Sequence, residues 1–273
     1  NVEAMNQMYL EADLRRALRR GEFELYYQPR IALDGEQVAG VEALLRWNHP
    51  VRGIVSPADF IPLAEEVGLI VPLGYWVIHQ ACADMQAMNA RGVDPIHVAV
   101  NLSFKQFADE KFAQTVGNII DAAGIDARRL EFELTETAIM SNVEDIERCM
   151  QIIREIGPTF SLDDFGTGYS SFAHIQRLPI GALKIDRGFV QNVPTTHDDA
   201  TIVKAMISLA HNLGLKVIAE GAETGEQVDF LREHACDQVQ GYFFSRPLPF
   251  VELLDRMQRT FMPAALAAST ITV

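Results

Sequence analysis

Eight short runs rich in β-branched and aromatic residues recur along the chain, and each closes on a polar or ionisable side chain. They lie at 23–29, 37–47, 97–103, 130–136, 159–164, 181–186, 215–220 and 236–242. Helical patterns separate the later runs, and strands alternating with helices argue for parallel β/α units. A short turn at Asp34-Gly35 joins the first two runs and predicts a hairpin. Eight strands in about 250 residues fit an α/β chain folded as a TIM-type (β/α)8 barrel. The hairpin modifies it by making the first strand antiparallel. A doubly wound open sheet is the main rival.

Helix signals agree with this order. Ser56, Pro57 and Asp59 read as an N-cap, a proline in the first turn and a capping box. Ser141 with Glu144, and Thr224 with Gln227, repeat the box, and Gly157-Pro158 ends the second of these helices. Residues 73–91 carry helical periodicity that stops at Gly92. The segment 1–20 reads as an amphipathic helix, 21–260 as the barrel and 261–273 as a loose, small-residue tail.

The strand tips carry Gln28, Glu42, Asn101, Glu133 with Glu136, Asp163 with Asp164, Lys184 with Asp186, Glu220 with Glu223, and Gln240. In a β/α barrel the C-terminal strand ends form the active-site mouth. That many carboxylates in one mouth repel each other unless something cationic sits among them. Oxygen-rich sets of this kind suit hard divalent ions such as Mg²⁺ or Mn²⁺. Two such ions about 4 Å apart are the usual apparatus for cleaving phosphoryl esters. Neighbouring strand residues face opposite ways, so the pair in "SLDDFGTG" (161–168) serves one site only if the strand ends at Asp163 and the chain turns at Asp164. Asp163 then bridges the ions, and Gly166 and Gly168 permit the loop that follows. Lys184 and Asp186 are expected on one strand face, with the lysine holding the attacking water or neutralising charge. Glu131 lies deeper than Glu133 and reads as structural, satisfied by buried partners.

Several function classes fall away. "DFG" at 164–166 is not a kinase magnesium loop, because no glycine-rich loop with a strand lysine and no HRD-like segment precedes it. A net charge of −14 argues against gripping long nucleic acid. No run approaches the ~18 apolar residues of a membrane span. Cys82, Cys149 and Cys236 show no metal or redox spacing and are expected as buried, reduced thiols of a cytoplasmic domain.

Taken together, "YYQP" (26–29), "EALLRW" (42–47), "SPADFIPLAEEVGLI" (56–70), "VNLS" (100–103), "ELTE" (133–136), "DDFGTGYSSF" (163–172), "LKIDRGFV" (183–190), "VIAEGAET" (217–224) and "VQGYFFSRPLP" (239–249) resemble the EAL-domain family of cyclic di-GMP phosphodiesterases. The resemblance implies hydrolysis of cyclic di-GMP to linear pGpG with two Mg²⁺ or Mn²⁺ ions, inhibited by Ca²⁺, which lowers a bacterial second messenger. It implies metal ligands Glu42, Asn101, Glu133, Asp163, Asp164 and Glu220, with Lys184 positioning or deprotonating the water. Substrate contacts are implied for Gln28, Leu44, Arg46, Asp186, Glu223 and Gln240, and Glu136 is implied to hold the loop after Asp164. A homodimer and an upstream GGDEF or sensor domain, joined through the 1–20 helix, are the implied partners; a receptor that binds cyclic di-GMP without turnover is the alternative. Two departures stand out: Ala222 where valine is usual, and Arg30 where lysine or isoleucine is common. Neither is expected to touch a metal position.

Overall fold

The hairpin at Asp34-Gly35 forms, and it sets the barrel's one reversal. β1 (Phe23–Ala32) pairs antiparallel with β2 (Val38–His49), Gln28 lying opposite Glu42. β1 also pairs antiparallel with β9 (Gln238–Gln240), which closes the ring. Between them, β2, β4 (His97–Asn101), β5 (Leu130–Thr135), β6 (Thr159–Phe165), β7 (Ala182–Ile185), β8 (Lys216–Glu220) and β9 run parallel in order. Eight strands close, so the open-sheet alternative does not apply. Two short strands that the sequence reading missed, β3 (Gly53–Val55) and β10 (Leu248–Pro249), pair outside the ring on β2 and β1. This computed structural model describes residues 2–93, 96–140, 143–167 and 175–258, with the side chains of 2–7 and 140 excluded. Gly168 and residues 169–172 of the expected loop, Ser141 of the expected capping box and the 261–273 tail lie outside the described residues.

Local signals account for most helix ends. The Thr224–Gln227 capping box is complete before the helix Gly225–Glu233. Ser56 does occupy the N-cap of Pro57–Glu66, but its hydroxyl makes no capping bond; the turn closes instead through the Asp59 amide on the Ser56 carbonyl, at 2.9 Å. The helix expected over 73–91 begins one turn earlier, at Ile70, and ends at Ala90. No described helix is long and apolar enough to cross a membrane. Cys82 and Cys236 are buried thiols whose pKa values burial pushes up to about 12; Cys149 is only half-buried, a correction to the expected burial of all three, and burial pushes it up to about 11.

The core falls into two parts. The larger packs the helices around the barrel wall. The smaller gathers Leu14, Ala17, Phe23, Trp47 and Phe60, and it seats the helix Val2–Arg20 and the helix Pro57–Glu66 on the far end of β2. Polar bonds pin this joint: Trp47 Nε1 donates to Glu22 at 3.0 Å, and His49 Nε2 lies 3.1 Å from Asp13. Because the His49 Nδ1 accepts from the amides of Val51 and Arg52, its Nε2 carries the proton that Asp13 receives.

The barrel interior is charged rather than filled with aliphatic side chains. At its floor, Arg30 donates to both oxygens of Glu131, at 2.8 and 3.2 Å, and Ser161 Oγ donates to the same carboxylate at 2.9 Å. The buried partners expected for Glu131 are therefore present. Burial alone would raise the Glu131 carboxyl; the Arg30 guanidinium reverses this and holds it down at about 2. A folded-state value below the unfolded one stabilises the fold above the unfolded value, and the contribution fades as pH falls through the folded one. Glu131→Gln is expected to lower stability at pH 7 by about 3–5 kcal/mol, because it strands a buried guanidinium. In urea titrations the deficit should shrink between the ordinary value of 4.5 and about 2, where wild type loses the same contribution. A deficit that stays constant across that window would show that the pair is not what the substitution removes.

Candidate active site

Above this floor stands one lysine. Lys184, on β7, is fully buried at the centre of the barrel, and four carboxylates from four strands surround its Nζ. Glu133 lies at 2.5 Å, Glu220 at 2.6 Å, Asp163 at 3.3 Å and Glu42 at 3.7 Å. Burial would pull the ammonium's pKa down, but the four acids raise it well above the ordinary value, so the lysine is charged. The acids divide. Burial raises Glu42, but Lys184 and hydrogen bonds from Gln240 and Asn101 outweigh it and lower the carboxyl. Glu133 goes the other way, pushed well up by burial and by Glu42 and Asp163 despite the lysine. Burial, with Asp163 and Glu42, raises Glu220 to about 7.

Amides tie this set to the neighbouring strands. Asn101 Nδ2 donates to Glu42 Oε1 at 2.7 Å, and Gln240 Nε2 donates to Glu42 Oε2 at 2.6 Å and to Gln28 Oε1 at 3.0 Å. Gln28 Nε2 in turn donates to the Ser245 carbonyl at 3.0 Å. Gln240 Oε1 is buried and has no partner among the described residues.

Asp163 and Asp164 do come together, by a different device from the expected one. β6 does not end at Asp163; it bulges and continues to Phe165. Leu162 pairs with Leu183 and Phe165 with Ile185, so β6 spends one residue more than β7 over the same span. Asp164 absorbs the extra residue in a left-handed conformation, φ +52°, and its amide donates to Asp163 Oδ1 at 2.9 Å. Oxygens of Asp163, Asp164 and Glu220 thereby come within 4.8 Å of one another. Burial and the adjacent Asp163 and Asp186 raise the Asp164 carboxyl. An all-oxygen set with surplus negative charge fits a hard divalent cation, and these three acids could hold one.

A family model described as the EAL domain matches residues 11–247. The chain belongs to the EAL domain family. Among its relatives, the cyclic di-GMP phosphodiesterase NbdA of Pseudomonas aeruginosa is 44% identical over 252 residues, 92% of this chain and 32% of NbdA. The cyclic di-GMP phosphodiesterase PdeR of Escherichia coli is 37% identical over 251 residues, 92% of this chain and 38% of PdeR. The chain thus spans about a third of the length of these relatives. The solved PaMucR phosphodiesterase in complex with c-di-GMP superposes with a TM-score of 0.86 at 41% identity, covering 90% of this chain and 99% of that one.

In this EAL domain the remaining candidates sit on the rim. A cleft of about 260 Å³ is lined by Gln28, Leu44, Asp163, Glu220, Glu223 and Gln240. Leu44 also borders a larger apolar hollow of about 770 Å³ between β2 and the flanking helices; its lining lacks Glu42, Asp163 and Glu220, which border the smaller cleft. Arg46 is half-buried over the Tyr26 ring, 5.4 Å from its centroid. Asp186 does not share a strand face with Lys184 as expected: β7 ends at Ile185, and Asp186 caps the next turn by accepting from the Gly188 amide at 2.9 Å. Glu136 accepts from the Gly166 amide at 3.2 Å. Gly166 has φ +96°, a conformation that side-chain-bearing residues rarely adopt, so a larger residue there is strained.

The sequence reading missed Arg187 and Tyr242, which also line the cleft. Each stands within two residues of a strand-tip residue that it did mark, Asp186 and Gln240. It also held that Arg30 touches no metal position, and this is corrected: Arg30 Nη1 lies 3.4 Å from Glu133 Oε1. The cause is the reversed strand. Residues later in β1 lie deeper, so Arg30 reaches under the site from below Gln28.

The left-handed Asp164 gives a direct test of the bulge. Asn tolerates that conformation, whereas a β-branched residue there is strained by about 1–2 kcal/mol. Asp164→Asn is expected to leave the metal-free protein within about 0.5 kcal/mol of wild type in urea unfolding, and Asp164→Val to lose about 1–2 kcal/mol. Equal stability of the two variants would rule out the bulge as described.

Proposed function

We propose that this chain is a metal-dependent phosphodiesterase that hydrolyses cyclic di-GMP to linear pGpG. The observation that carries the reading is the buried Lys184 among Glu42, Glu133, Asp163 and Glu220, directly beneath the Asp163–Asp164–Glu220 cluster. The names of relatives such as NbdA and PdeR support the substrate. In this reading Glu42, Asn101, Glu133 and Asp163 hold one divalent ion, and Asp163, Asp164 and Glu220 a second. Bound Mg²⁺ or Mn²⁺ supplies an acidified water and charge neutralisation at the phosphate; Ca²⁺ competes for the same oxygens and inhibits.

The chain's own groups do the rest. Lys184 donates to the attacking water and fixes its direction, and a neighbouring carboxylate takes its proton. The water oxygen forms a bond to one phosphorus, the bond from that phosphorus to the 3′ oxygen breaks, and the leaving oxygen departs as a hydroxyl with a proton. Linear pGpG with a terminal 5′-phosphate results. Arg46 meets a substrate phosphate in this reading, its guanidinium resting on the Tyr26 ring. Gln28, Leu44, Asp186 and Glu223 border the guanines, and Gln240, on the lining of the cleft, orients water or substrate. Glu136 steadies the turn after Asp164 through the Gly166 amide. The helix Val2–Arg20 would join an upstream GGDEF or sensor domain, a reading supported by its seating on β2 and by relatives about three times as long. A homodimer of such chains is the proposed assembly, and the cytoplasm its proposed location.

Incubation with cyclic di-GMP and Mn²⁺, with product read by chromatography, is expected to give pGpG that a chelator abolishes. Binding without turnover in metal-replete buffer would make the chain a receptor instead. Glu42→Ala and Asp163→Ala should remove turnover, and full activity in either would sink the assigned site. Lys184→Ala is expected to cut kcat by about 10²–10⁴-fold while substrate affinity changes far less. An equal loss in both would reassign the lysine to binding.

A further inference from the structure

Arg30 is the second cation of the barrel interior, and it has one contact that the floor pair does not explain. Its guanidinium is locked: Nη1 and Nη2 each donate to an oxygen of Glu131, and Ser161 secures Glu131 from the other side. From that locked position Nη1 also reaches Glu133 Oε1 at 3.4 Å, while Glu133 Oε2 takes Lys184 Nζ at 2.5 Å. The two oxygens of Glu133 are therefore divided between a cation below and a cation beside them. A carboxylate held at one oxygen can still turn about its terminal bond; one held at both cannot. The strand opposite leaves room for this arrangement. A Cβ on Gly40 would lie 2.8 Å from Arg30 Nη2 and 2.9 Å from the His97 carbonyl. Arg30 Nε is buried without a partner among the described residues, a cost that the contacts of the two terminal nitrogens must offset.

We propose that Arg30 is a positioning residue for the metal centre: it fixes the rotation of the Glu133 carboxylate and so raises the site's affinity for divalent ions. The inference rests on the metal-dependent reading above. Arg30 touches no reacting atom, and its effect passes entirely through Glu133. Partners that orient a metal ligand from behind are commonly worth about 10–100-fold in metal affinity.

A purely structural role must be told apart from this, since Arg30→Met alone strands Glu131. The double variant Arg30→Met/Glu131→Gln removes both members of the floor pair and leaves net charge unchanged. The new amide can still accept from Ser161. Replacing a buried pair in this way is often neutral for stability. Wild type, Arg30→Met and the double variant are titrated with Mn²⁺ by calorimetry, alongside urea unfolding of each. The double variant is expected to recover stability relative to Arg30→Met and yet bind Mn²⁺ about 10–100-fold more weakly than wild type. If Arg30→Met does not fold, the double variant decides alone. A double variant that binds Mn²⁺ within about twofold of wild type overturns the proposal and leaves Arg30 a structural residue. Wild type that takes up no Mn²⁺ refutes the metal-dependent reading itself, a failure visible before any substitution is made.

Discussion

A lysine with no exposure to solvent cannot be left without compensation, and in this chain the compensation organises the barrel. Taking an ammonium out of water costs several kcal/mol or more unless anions receive it. Here Glu42, Glu133, Asp163 and Glu220 come to Lys184 from β2, β5, β6 and β8, so one charge on β7 ties together strands from across the ring. The balance tips the other way as well. Four carboxylates exceed one ammonium, and the surplus is of the kind that suits a hard cation. The lifted carboxyls of Glu133 and Glu220 express that surplus: burial and mutual repulsion outweigh the single lysine. The same residues that keep the barrel centre satisfied without metal are those that would ligate one.

Much of this was legible in the sequence because strand periodicity and strand ends carry it. Each parallel strand runs toward the mouth, so a polar residue at or near the close of an apolar run points there: Asn101, Glu220 and Gln240 end their strands, and Glu133 and Asp163 stand two residues before the ends of theirs. The rule breaks in the hairpin. Gln28 and Glu42 are not strand ends; both lie inside longer strands and face each other across the β1–β2 ladder. Gln28 was found because its run seemed to stop at Pro29, although β1 continues to Ala32. Arg30 was misjudged for the same reason. In an antiparallel first strand, moving forward in sequence moves down into the barrel, and nothing local to residues 23–32 reveals which residue on β5 waits there.

The Asp163–Asp164 pair illustrates a subtler limit. The sequence poses the problem correctly, since two adjacent carboxylates cannot share a face on a regular strand. It suggests one solution, an early strand end. The structure uses another, a bulge with Asp164 left-handed, which keeps the hydrogen-bonded ladder running to Phe165. The difference has a mechanical consequence. A strand end would leave Asp164 on a loop, whereas a bulge keeps it between paired residues, and ligands carried on regular elements are held more tightly than ligands on loops.

β2 extends this logic beyond the barrel. Its inner part carries Glu42 beside Lys184, its middle carries Arg46 over the Tyr26 ring, and its far end carries Trp47 and His49, which grip the helix Val2–Arg20. All three lie on one continuous, hydrogen-bonded strand within eight residues. A closely packed core does not deform gradually, so a displacement of that helix must either be absorbed at the Trp47 packing or move the strand that carries both Glu42 and Arg46. Trp47 is fully buried between Phe23 and Phe60, its ring centroid 5.8 and 5.5 Å from theirs, which leaves little room for absorption. The helix and the Glu42 carboxylate are therefore carried on one strand, β2.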